Sequence, residues 1–165
     1  VLVALESASR HPERVAALTL IAGAMAIPVN DALIEMSQSA PEKAFRMMTS
    51  WGHGPGAHKF DNTQPGHAFL GYGRRVMAQN DGAALHADLV ACNSYDGGKD
   101  AAASVTQPSL CLLAGKDKMT PVKFGRKMAE QISGAQCHVF ERAGHFLPAE
   151  FPIEVNDAMA AFLSR

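Results

Sequence analysis

Cysteine is scarce in this chain. Cys92, Cys111 and Cys137 are the three among 165 residues, an odd set with no C-x-x-C spacing. That pattern argues against a disulfide framework or a thiolate zinc site and fits a reducing, cytoplasmic setting. Charge is also sparse, at 19% of residues against a usual share of about 25%. Lys and Arg number 15 and Asp and Glu 16, a net charge of −1, so no nucleic-acid partner is expected. Long hydrophobic runs are missing. The longest, residues 15–29, is interrupted by Thr19, Gly23 and Pro28 and falls short of the ~18 residues of a membrane span. No membrane partner is expected, and no basic segment precedes an apolar run as a signal peptide requires. Gly-x-Gly-x-x-Gly is absent, and Gly115-Lys116 lacks the upstream glycine of a P-loop, so no nucleotide cofactor is implied. Repeats and low-complexity segments are lacking as well. What is present, 47% of it apolar, can bury the core of about one domain.

Residues 1–10 read as the later part of an amphipathic helix, with Val1, Leu5 and Ala8 at spacings of four and three. His11-Pro12 ends it, because the residue before proline is pushed out of helical conformation. Residues 15–22 (VAALTLIA) are a continuous apolar run of strand length, the signature of a parallel strand buried on both faces. From 24 to 105 helix signals dominate. Asn30 or Asp31 can cap a turn through Met36, and Ser39-Ala40-Pro41-Glu42 predicts a capping box before a helix over 44–51. Residues 52–66 read as a loop, helices follow over 68–79 and 83–94, and Gly97-Gly98 closes the stretch. The α/β pattern then returns. Strands are predicted over 109–114 and 137–141, separated by a helix that Thr120 caps and Pro121 opens, with Phe124, Met128 and Ile132 facing the core. A last helix starts at Pro152 and faces the core with Phe151, Val155, Met159 and Phe162. Strands alternating with helices imply right-handed crossovers and a parallel sheet.

Ligands of open α/β sheets bind beyond the carboxyl ends of the strands. Gly23-Ala24-Met25, after the first strand, offers nothing ionisable. Asp117 follows the second strand and His145 the third. An aspartate that accepts a bond from histidine Nδ1–H fixes the tautomer, leaves Nε2 as a general base and stabilises the imidazolium. Each residue also has a plainer reading. An aspartate in a Gly-x-Asp turn often bonds only its own backbone, and Gly-His after a strand is a common loop.

The run Gly115-Lys116-Asp117-Lys118-Met119-Thr120-Pro121, then Ala143-Gly144-His145-Phe146 and Glu150-Phe151-Pro152, resembles the C-terminal part of an α/β-hydrolase. Val3-Ala4-Leu5 running to His11-Pro12-Glu13-Arg14-Val15 resembles the helix behind that family's nucleophile elbow and the strand after it. The resemblance implies an incomplete α/β core over 1–23 and 106–165, with an all-helical cap inserted over 24–105. It implies His145 as general base and Asp117 as its orienting acid, in the chain order nucleophile, acid, histidine. One element of the family pattern is missing. There is no Gly-x-Ser-x-Gly, and Ser7, Ser9, Ser104 and Ser133 lack the strand-to-helix setting of an elbow. The elbow is therefore expected just upstream of Val1, together with the oxyanion donors, which makes this chain a fragment that is inactive alone.

The resemblance implies a hydrolase of a small, fairly apolar carboxylic ester, lactone or related acyl compound, with no cofactor. A dehalogenase, an epoxide or C–C bond hydrolase, or a non-catalytic ligand-binding member of the same fold are its alternatives, since the nucleophile's identity decides among them. Met36, Met47, Trp51, Phe60 and Phe69 are candidates to line an acyl pocket, although residues at such spacing are more often core. His53, His58 and His67 crowd one loop, but a zinc site needs three or four converging ligands, and no metal is expected. The oligomeric state is left open.

Overall fold

Three short strands carry the site, and their side-chain pattern explains how. The computed structural model describes residues 1–58, 64 and 66–164. Its helices are α1 (Leu2–Arg10), α2 (Asp31–Ser39), α3 (Pro41–Gly52), α4 (Phe69–Met77), α5 (Gly82–Ser94), α6 (Gly98–Ser104), α7 (Val122–Gln131), α8 (Leu147–Glu150) and α9 (Pro152–Leu163). The strands β1 (Leu18–Ile21), β2 (Ser109–Ala114) and β3 (Gln136–Phe140) form one parallel sheet in the order β1-β2-β3. Leu18 stands opposite Ser109, and Leu110 opposite Gln136.

β2 is central and buried along its whole length, which is why its sequence reads SLCLLA without alternation. Successive side chains leave opposite faces of the sheet. Cys111 and Leu113 join a cluster with Leu5 and Ala8 of α1, Ala101 and Ala102 of α6, and Met128 and Ala129 of α7. Leu110, Leu112 and Ala114 join the other, with Phe140, Leu147, Val155 and Phe162. Fully burying a Leu contributes about 1.5–3 kcal/mol relative to leaving it exposed. The two clusters therefore hold the sheet between α1, α6 and α7 on one side and α9 on the other. Between β1 and β2 stands the all-helical insertion, centred on Leu33, Ala44, Met48 and Leu89. Among the described residues no helix is long and apolar enough to cross a membrane.

Several local expectations are corrected by the structure. The Ser39 capping box does not form. Ser39 is the last residue of α2 and donates to the Glu35 carbonyl at 3.0 Å, while Ala40 precedes Pro41 at the start of α3 with no side-chain cap. Asn30 does cap α2, accepting from Leu33 N at 2.8 Å. Thr120 does not cap α7, which begins at Val122. Phe124 is 41% exposed instead of core. Gly125 presses against the sheet there, since a Cβ would lie 2.6 Å from Leu113 Cδ2, and this close approach rotates Phe124 outward. The helix α6 is an element that the sequence pattern does not predict. It lies within the stretch read as cap, yet packs on α1 and the sheet.

Candidate active site

The turn after β2 and the loop after β3 are laced together by backbone. Gly115 N donates to the Phe140 carbonyl at 2.9 Å and Lys116 N to the Ala143 carbonyl at 2.8 Å. Only glycine fits at 115, because a Cβ would sit 2.6 Å from the Glu141 carbonyl oxygen. The two strand ends are thus in contact, and this brings Asp117 to His145. Their bond, from His145 Nδ1 to Asp117 Oδ2, is 2.9 Å long.

Asp117 is held from every side. Its Oδ1 accepts from Met119 N and Thr120 N, both at 2.8 Å, the local turn that an aspartate builds on its own backbone. Its Oδ2 lies 2.8 Å from the Thr120 hydroxyl as well as receiving His145. The plain reading of Asp117 as a turn residue and the functional one are both realised, one on each oxygen. The side chain of Asp117 is fully buried, whereas that of His145 is 28% exposed. Nδ1 of His145 has Asp117 and Thr120 as neighbours, and its Nε2 has no hydrogen-bond partner among the described residues. An imidazole held in this way can accept a proton at Nε2 while the carboxylate balances the charge.

A second carboxylate anchors the histidine loop. Glu150 is 3% exposed and accepts from Gly144 N at 3.1 Å and from Gly54 N at 2.9 Å. Burial pushes its carboxyl above the usual range, the two backbone donors oppose that shift, and the Asp117 charge adds to it. The loop and the end of α3 interlock without side chains. A Cβ on Gly144 would lie 2.2 Å from Gly54 N, and Phe146 N donates to the Gly52 carbonyl at 3.0 Å. The Phe146 ring packs at a tilt against His53, with centroids 4.7 Å apart. Burial lowers the His53 pKa, against its bond to the Thr49 carbonyl.

Three of the candidate acyl-pocket residues share one cluster. Met36, Met47 and Trp51 are half-buried against the insertion's own core, and Met119 reaches that cluster from the Asp117 turn. Phe69 is buried beneath His53 and His67. Phe60 lies outside the described residues. His53 Nδ1 and His58 Nε2 donate to backbone carbonyls, and among the described residues no cluster of His, Cys, Asp and Glu could hold a metal. A cavity of about 740 Å³ between α1 and α5, lined by Leu2, Glu6, Arg10, Asp88, Cys92 and Tyr95, shares no residue with the dyad. The dyad's chemistry therefore decides the site. Sequence reasoning missed Glu150 and the inward role of Thr120. The Asp-x-x-Thr spacing of a side-chain-bonded turn was the available signal for the latter.

No protein-family model matches the sequence, and no curated protein is significantly similar to it. Solved structures are similar in shape. An enol-lactonase from Burkholderia xenovorans superposes with a TM-score of 0.87 at 18% identity, covering 99% of this chain and 62% of that one. An esterase from Exiguobacterium antarcticum gives 0.85 at 18%, with 99% and 63% covered. A bromoperoxidase from Bacillus anthracis gives 0.81 at 17%, with 98% and 63% covered. This chain thus spans less than two thirds of their length. Identities this low speak for architecture alone, and the architecture that these structures share with the chain is the α/β-hydrolase fold.

Proposed function

We propose that Asp117 and His145 are the acid and the general base of a nucleophile–His–Asp hydrolase acting on a small, fairly apolar carboxylic ester, lactone or related acyl compound. The observation that carries this reading is the 2.9 Å bond from His145 Nδ1 to a fully buried Asp117 carboxylate, with the imidazole partly exposed. His145 Nε2 takes the nucleophile's proton as the acyl carbon is attacked and returns it to the leaving alkoxide. Asp117 holds the tautomer and stabilises the imidazolium between those steps. No described serine, cysteine or aspartate is bonded to Nε2, and we assign the nucleophile and the oxyanion donors to residues outside 1–165. The chain's partial span of its structural neighbours supports that assignment. We read the helical insertion, whose own core takes in Met36, Met47 and Trp51, as a cap over the dyad. The mechanism calls for no cofactor.

The test is His145→Ala in the protein that carries its nucleophile. Loss of a transition-state role lowers kcat by about 10³-fold or more with little change in KM. A kcat within about tenfold of the parent would remove His145 from the mechanism.

A further inference from the structure

Around Asp117 one hydroxyl has more acceptors than it can serve. Thr120 Oγ1 lies 2.7 Å from the Ala22 carbonyl oxygen and 2.8 Å from Asp117 Oδ2. A threonine hydroxyl has a single proton to donate, and neither of those oxygens has one to give. The same Oγ1 is 3.2 Å from His145 Nδ1. Thr120 is 5% exposed, and its own amide is bound by Asp117 Oδ1, so the hydroxyl can turn but not leave.

Ala22 shows that this contact is built. At φ +46° it is the non-glycine residue in the left-handed region among those described, a conformation that an L side chain adopts only when its surroundings require it. Its amide stays in the sheet, donating to the Leu112 carbonyl at 2.8 Å. The left-handed turn takes its carbonyl out of the ladder and aims it at Thr120. The end of β1 is thereby tied to the acid that follows β2 through one hydroxyl.

We infer that Thr120 is a positioning residue of the dyad, whose hydroxyl proton moves between Asp117 and the Ala22 carbonyl as His145 gains and loses charge. This rests on the reading of Asp117 and His145 given above. With neutral imidazole, Oδ2 accepts from both Nδ1–H and Thr120. Once Nε2 is protonated, both partners of the Nδ1–H bond to Oδ2 carry charge and the bond shortens. The hydroxyl then rotates to Ala22, and the full charge of Oδ2 faces the imidazolium. No covalent bond changes at Thr120.

The experiment compares Thr120→Val, Thr120→Ser and Thr120→Ala in the full-length protein. Readouts are kcat, KM, a denaturation curve, and the downfield Nδ1–H resonance of His145 in ¹⁵N-histidine-labelled protein. Thr120→Val should lower kcat about tenfold, because Oδ2 loses the side chain that holds it against Nδ1 and the Ala22 carbonyl loses its donor when His145 is charged, with KM within about twofold. It should also move the Nδ1–H resonance, which a residue that only fills space would leave in place. Thr120→Ser should recover most of the kcat and return the resonance. If the valine variant does not fold, Thr120→Ala is expected to show the same loss and the same displacement. A folded valine or alanine variant with parent kcat and an unmoved resonance would overturn the inference, as would a serine variant that recovers neither. Activity surviving His145→Ala would refute the functional reading instead, and the resonance would still test the contact.

Discussion

Replacing Asp117 by asparagine should separate the chemistry of the site from its stability, and the hydrogen bonds show why. Two backbone donors, Met119 N and Thr120 N, converge on Oδ1 at 2.8 Å. The asparagine oxygen must take that place, since an NH₂ there would face two N–H groups. Its NH₂ then occupies the Oδ2 position, 2.9 Å from His145 Nδ1. Thr120 adapts by donating to the Ala22 carbonyl at 2.7 Å and accepting from the new amide. No buried group is left unpaired, so the stability loss should stay within about 1–2 kcal/mol. The imidazole cannot adapt without cost. To accept from the amide it must carry its proton on Nε2, the atom that has to act as base. Loss of the correct tautomer lowers kcat by about 10³- to 10⁴-fold, roughly 4–5.5 kcal/mol of transition-state stabilisation. Asp117→Ala provides the contrast, because it strands two backbone N–H groups at about 1–3 kcal/mol each. Initial rates on a chromogenic short-chain ester, a urea titration and ¹⁵N shifts of the His145 ring read the three quantities. A folded Asp117→Asn with kcat within about tenfold of the parent, or with His145 still protonated on Nδ1, would refute the argument.

Two further outcomes follow from the loop that carries His145. Gly144→Ala places a Cβ 2.2 Å from Gly54 N, a backbone contact with no flexible end to move aside. It should cost about 1–3 kcal/mol of stability by overpacking and lower kcat by displacing His145; an unchanged urea midpoint and kcat would count against the interlock. Glu150 titrates above its ordinary value of 4.5 because of burial. The folded state therefore holds that proton more tightly than the unfolded one, and stability from this group falls as pH rises from about 4.5 through the raised value. The slope of unfolding free energy against pH across that interval should be more negative in the parent than in Glu150→Gln; equal slopes would contradict the assignment.

The parts of this structure legible in the sequence are those that one local rule decides. β2 reads as a strand because burial on both faces demands a continuous apolar run, and Asp117 and His145 stand out because strand ends carry sites. Elsewhere a competing local bond or a tertiary contact overrode the rule. Ser39 offers a cap but finds the Glu35 carbonyl within its own helix. Phe124 has helical core spacing, yet the approach of Gly125 to Leu113 turns that side of α7 away. Thr120 before Pro121 has the form of an N-cap, and only the fold brings Ala22, distant in sequence, to compete for its hydroxyl. The left-handed Ala22 has no local signal, because nothing in its own residue type favours that conformation.

The pairing of β1 with β2 also fixes how freely the helical insertion can vary. Leu18 meets Ser109 across roughly 90 residues of chain, whereas Leu110 meets Gln136 across roughly 25, and the longer closure costs only ~1 kcal/mol more in chain entropy. Closure entropy grows with the logarithm of length, so doubling the insertion would add only about 0.6 kcal/mol. The two strand ends can therefore hold insertions of quite different size at nearly constant thermodynamic cost. What such replacements must preserve is α6, whose Ala101 and Ala102 fill the core against α1, the backbone of Gly52 and Gly54 against the His145 loop, and an apolar side to receive Met119. Evolution or an engineer can exchange most of the remaining helical surface while the Ala22–Thr120–Asp117–His145 chain stays as it is.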